Sequence, residues 1–137
     1  MSFENDFVKL TFNKETLRVH VLIKKELPNN DEEFEDFLTY FDNFYQACDK
    51  INQKIILFYD LRELGMLKYE QYNKWTELFK KNEQISIKYL ICSSILCSSS
   101  IITNVINTLL FFYKNTKPVK IFTSEEDAID FINEQLK

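Results

Sequence analysis

The chain has 137 residues, 45% of them hydrophobic and 15% aromatic, with 1 Gly, 2 Pro and a net charge of −4. That length suits one domain spanning residues 1–137, and so much apolar material excludes disorder. The single Gly excludes Gly-rich phosphate loops, and the acidic balance, with Arg18 and Arg62 the only arginines, excludes a basic nucleic-acid-binding field.

Residues 7–12 and 17–23 alternate apolar and polar side chains around Asn13-Lys14-Glu15-Thr16, which predicts an antiparallel hairpin. In the second run Leu17, Val19, Val21 and Ile23 share one face, leaving Arg18, His20 and Leu22 on the other. Pro28-Asn29-Asn30-Asp31 forms a turn ending in an N-cap signal. The helix it opens carries Phe34, Phe37, Leu38, Phe41, Phe44, Tyr45 and Cys48 at helical spacing, with Glu33, Asp36, Asp42 and Asp49 facing water.

Residues 54–61, centred on Ile55-Ile56-Leu57-Phe58-Tyr59, are a near-continuous apolar run suited to a central strand covered on both faces. Residues 69–82 return to helical spacing through Tyr69, Tyr72, Trp75, Leu78 and Phe79. The apolar run 85–97 reads as a second central strand, part of whose length must be loop. Ser98-Ser99-Ser100 offers caps for a helix over 101–114, with the stripe Ile102, Val105, Ile106, Leu109, Phe112 and Tyr113, stopped by Thr116-Lys117-Pro118. A strand over 119–123 follows. Ser124 and Asp127 then resemble a capping box opening a helix that buries Ala128, Ile129, Ile132 and Leu136.

The order is β-β-α-β-α-β-α-β-α, an α/β domain with a mostly parallel five-stranded sheet, an antiparallel edge strand and four helices. It places residues 55–61 and 89–96 side by side and pointing the same way. Two segments carry a family likeness. One is Ile55-Ile56-Leu57-Phe58-Tyr59-Asp60-Leu61 running into a loop and helix; the other is Lys117-Pro118-Val119-Lys120-Ile121-Phe122 followed by Glu125-Glu126-Asp127-Ala128-Ile129. With the element order they make the chain resemble the STAS and SpoIIAA-like domains and their CRAL-TRIO-type relatives.

The likeness to anti-sigma-factor antagonists implies a Ser or Thr at the start of the helix after the third strand, where phosphorylation breaks a partner complex. Here that region, Asp60 to Glu70, contains neither residue type, so the switch lacks its usual acceptor. Tyr69 is the phosphorylatable group nearby, and its ordinary role is packing at a helix start. The resemblance still implies a protein partner. The residues expected to meet it are Asp60, Arg62, Leu64, Gly65, Met66, Tyr69 and Tyr72. Tyr69, Tyr72 and Trp75 are interface-type side chains whose helical spacing equally suits a core.

Catalytic and metal-binding constellations are not legible. Asp60, at the carboxyl end of a strand, reads first as a loop cap or an ion-pair partner of Arg62. His20 is the single histidine, distant in sequence from Asp60 and from the serines, so it reads as a strand side chain and not a general base. Cys48, Cys92 and Cys97 contain no C-x-x-C pair, and Cys92 and Cys97 would face opposite sides of a strand, so free buried thiols and no metal site are expected. Ser98, Ser99 and Ser100 could hold an anion at a helix start, though N-capping is the first reading. No cofactor is implied. A hydrolase or transferase built on Asp60 and the serines would require those groups to share one cleft with a raised carboxylate pKa.

The expected function is a non-enzymatic protein-interaction or regulatory module; the alternative is a carrier of an apolar ligand or lipid, by likeness to CRAL-TRIO domains. A homodimer is compatible with either. No run reaches the roughly 18 apolar residues of a transmembrane helix, the acidic N-terminus lacks the layout of a secretion signal, and a cytoplasmic location is expected.

Overall fold

Polar backbone groups and alternating apolar side chains build a six-stranded sheet in the order β1-β2-β3-β4-β5-β6. The structure, a computed structural model, describes residues 2–112 and 117–137, with the backbone alone for 109–112. The strands are β1 (Ser2–Glu4), β2 (Val8–Asn13), β3 (Arg18–Ile23), β4 (Ile55–Asp60), β5 (Leu90–Leu96) and β6 (Val119–Phe122). The helices are α1 (Asp31–Ile51), α2 (Tyr69–Lys81), α3 (Glu83–Tyr89), α4 (Ser100–Phe112) and α5 (Glu125–Gln135). β1, β2 and β3 pair antiparallel, and β3 to β6 pair parallel. The two central runs therefore lie adjacent and co-directional, with Tyr59 opposite Ile95 and Asp60 opposite Leu96. The predicted side chains of Leu109 and Phe112, and Tyr113, Lys114 and Thr116, lie outside the described residues.

Among the described residues the expected five strands and four helices become six and five, with two antiparallel pairings at one edge instead of a single antiparallel edge strand. β1 escaped because three residues are too few to show an alternation. It is held by Phe3 stacking on Tyr40, ring centroids 4.9 Å apart, and by an Asn5 turn whose Oδ1 accepts the Phe7 and Val8 N–H groups. α3 escaped inside the apolar run 85–97. Its residues repeat with a period near four, and Asn82 breaks the chain between α2 and α3 while bonding Asp42 and Gln46 of α1. Leu17 is a further correction. It sits in the hairpin turn with φ 63°, which rotates its side chain away from Val19, Val21 and Ile23 and onto the opposite apolar cluster.

α1 begins where Asn30 Oδ1 accepts the Glu33 N–H at 2.8 Å. All seven residues of its apolar stripe are buried. They pack with Tyr59, Trp75, Ile95, Ile102 and the inward residues of β2 and β3 to form the main core on one face of the sheet. α5 covers part of the other face, where Ala128 and Ile132 meet Ile56, Phe58, Cys92 and Leu96. Ser124 Oγ caps it by accepting the Asp127 N–H, but Leu136 ends the helix exposed and does not join the core.

Cys92 and Cys97 do fall on opposite faces, in the two separate clusters. Burial pushes the Cys48 and Cys92 thiols up to about 11 and raises Cys97 as well. All three free cysteines are buried, so the native protein is expected to resist an aromatic disulfide reagent and to react at all three after denaturation. Rapid labelling of the native form would show that the sheet opens easily.

Candidate functional site

The carboxyl ends of the parallel strands bring three loops together: 24–30 after β3, 61–68 after β4 and 97–99 after β5. The middle loop is pinned at its root by Asp60, whose carboxylate is buried by its neighbours. Asp60 Oδ1 accepts from the Arg62 backbone N–H at 3.2 Å and from Nε at 3.0 Å, while Oδ2 accepts from an Nη at 2.7 Å. This is the expected ion pair, in the two-pronged geometry that favours Arg over Lys. Burial is the strongest single influence on Asp60 and opposes its ionisation. The hydrogen bonds and charge of Arg62, with His20 adding to them, outweigh that and hold the carboxyl below its ordinary 3.8. A raised carboxylate pKa, the condition for acid–base work at Asp60, is thus the opposite of what this environment produces.

Bonds to both neighbouring loops then fix the rest of the segment. The Gly65 N–H donates to Glu26 O at 2.8 Å, and Ser98 Oγ donates to Arg62 O at 3.0 Å. Close approach favours glycine here, since a Cβ would lie 3.0 Å from Glu26 Cβ and 3.2 Å from its carbonyl oxygen and would press that loop outward. Tyr72 OH accepts the Leu67 N–H, and Gln71 Oε1 accepts the Lys68 N–H to start α2.

Among the seven anticipated contact residues, the four with large apolar or aromatic side chains separate into two groups. Leu64 and Tyr72 are core side chains, as is Trp75. Met66 is 55% exposed and Tyr69 78% exposed. Sequence reasoning missed two further exposed apolar side chains at this end of the sheet. Leu27, 48% exposed, follows the residue that Gly65 bonds, and Ile101, 61% exposed, stands in the first turn of α4. Their only sequence signal is an apolar residue in a loop or at a helix start outside the stripe. The helix start at Ser98–Ser100 is already used by the fold: Ser98 binds Arg62, Ser99 Oγ accepts the Ile102 N–H, and Ser99 O accepts from the Thr103 hydroxyl.

The structure also joins groups that are far apart in sequence. β3 and β4 pair so that His20 lies beside Phe58, ring centroids 5.2 Å apart at 87°. Asp60, Glu125, Arg18 and Arg62 all act on this imidazole, and burial, the strongest influence, lowers its pKa from 6.5. Among the described residues no cluster of His, Cys, Asp and Glu could hold a metal ion, and no helix is long and apolar enough to cross a membrane.

No protein-family model and no curated protein matches the chain. A solved structure does. It is an uncharacterised protein of the DUF3478 family, with a SpoIIAA-like fold, from Shewanella loihica PV-4. The two superpose with a TM-score of 0.63 and 16% identity over 96% of this chain and 98% of that one. This chain has a SpoIIAA-like fold. In this SpoIIAA-like sheet the loop after β4 and the start of α2 hold the rim described above, and no Ser or Thr occurs between Asp60 and Tyr72. The likeness at 16% identity carries the architecture and no residue roles.

Proposed function

We propose that the protein is a non-catalytic interaction module whose contact surface is the rim at the carboxyl end of the sheet. The observation that supports this most is the exposure of Met66 and Tyr69 on a loop that hydrogen bonds hold in one conformation. On a backbone already fixed, binding orders these side chains alone and not the loop as well, which lowers the cost that anchor residues must offset. Leu27 and Ile101 are further exposed apolar side chains on the segments at this end of the sheet. The carrier reading has no comparable support. The aromatics that suggested it pack against one another, as in the Phe37–Trp75 contact at 5.4 Å and the Phe41–Tyr45 stack at 5.4 Å.

The double variant Met66→Glu, Tyr69→Glu places two charges on the rim without touching the core. Affinity capture from source cells, with wild-type and variant chains compared at equal loading, is expected to recover a partner that the variant binds at least about tenfold more weakly. A partner retained equally by both, or a wild-type chain that captures nothing, would end this reading. Circular dichroism checks that the variant remains folded.

A further inference from the structure

α5 leaves part of the second sheet face uncovered. The alternation of β2 and β3 sends Val8, Leu10, Val19, Val21 and Ile23 into the main core. Lys9, Thr11, Arg18, His20 and Leu22 therefore point to the other side. The apolar cluster under α5 draws on β4, β5, β6 and the hairpin residue Leu17, but on no residue of β2 or β3.

The chemistry of this open face is unlike the rest of the molecule. The chain has two arginines and one histidine: Arg18 and His20 lie two residues apart on this face, and Arg62 acts on His20 from its border, although the protein as a whole carries a charge of −4. β2 and β3 contain no acidic residue. Two acids face His20. Asp60 has both oxygens on Arg62, and Glu125 opens α5 beside it. Arg18 Nε is shielded from solvent and has no hydrogen-bond partner among the described residues. A shielded guanidinium N–H without an acceptor is costly, so Arg18 gains if its side chain turns to present its fork to an oxygen anion. Thr11 lies directly across from His20 in the β2–β3 ladder and adds a hydroxyl. The edge contact with Phe58 supports one side of the imidazole ring.

We propose that this open face of β2 and β3 binds a small oxyanion, a phosphate or carboxylate group of a soluble compound, through Arg18, His20 and Thr11. Arg62, already charge-balanced by Asp60, borders the site, and Lys9 on the same face stands across from Glu4, which offsets its charge. The few cations suit one anionic group and not a nucleic acid, which needs a row of phosphate contacts. Bound anion favours the protonated imidazole, so ligand and proton bind cooperatively at His20.

Because His20 is the sole histidine, its ring protons report the site alone. Inorganic phosphate and succinate are titrated separately into the full chain at fixed ionic strength, and the His20 proton resonances are followed from about pH 5.5 to 7.5. A saturable movement with one or both anions is expected, together with an upward shift of the His20 titration at saturation. Saturation by phosphate alone or succinate alone tells the two chemistries apart. Arg18→Gln is expected to weaken binding at least about tenfold; if that variant does not fold, Thr11→Val takes its place with a smaller loss. Movement that stays linear in anion concentration, or saturation unchanged in the variant, overturns the proposal.

Discussion

Replacing Phe37 with alanine is expected to lower the unfolding free energy by about 3–5 kcal/mol. Phe37 is fully buried at the meeting of α1, α2 and the sheet. Its ring lies 6.3 Å from Phe34, 5.9 Å from Phe41 and 5.4 Å from Trp75, so three aromatic neighbours would border the hole. Those rings belong to two helices pinned by their own ladders and cannot close together without disturbing other contacts, so most of the cavity cost remains. A domain of this kind has about 5–15 kcal/mol in total, and the change is therefore a large share of its stability. Denaturant unfolding measures it, with Phe37→Leu as the control that keeps most of the volume and loses far less. A loss below about 1 kcal/mol for alanine would mean that the aromatic layer is loosely packed.

Asp60→Ala is expected to cost about 2 kcal/mol and to loosen the 61–68 loop. The variant removes three hydrogen bonds to Arg62. The Arg62 side chain is 44% exposed and can turn to water, which keeps the penalty below that of stranding a fully buried charge. The pH dependence carries a definite sign. The folded carboxyl titrates below its ordinary 3.8, so its contribution is complete above that value and is lost as pH falls through the lower, folded one. The stability gap between wild type and variant should be constant from neutral pH to about pH 5 and should narrow in stronger acid. A gap that widens on acidification would contradict the ion pair. Faster hydrogen exchange at the Gly65 amide, which now donates to Glu26 O, would show the loop's release directly.

Much of the fold can be read from residue order, and α1 shows why. Its seven apolar residues recur at helical spacing over a long segment, so every one of them had to face the same side and all are buried. The run at β4 was equally plain, because six consecutive buried residues need cover on both faces. β1 and α3 were not plain. One is too short for a pattern, and the other lies in an apolar run whose break at Asn82 becomes visible only through its bonds to Asp42 and Gln46.

The candidate rim was legible as a segment and not as a surface. Residues 60–72 could be placed after a strand and before a helix, yet Leu64 and Tyr72 share that segment with Met66 and Tyr69 and differ from them entirely in exposure. The difference depends on how the loop is tied to Glu26 and Ser98, residues from two other loops. The meeting of His20 with Asp60 and Arg62 was hidden for a similar reason. It needs the β3–β4 register, which pairs His20 with Phe58 and Leu22 with Asp60.

What the amino-acid order determined by itself is the set of elements with a strong period, the main stripe of the core and the parallel direction of the central strands. The first two follow from spacings of two and about four residues, which act within one element, and the third from the helical crossovers that join successive strands. The tertiary structure alone decided which loop side chains stay in water and which distant charges become neighbours. Those outcomes depend on strand register and loop closure, which join residues tens of positions apart and leave no trace in any local pattern.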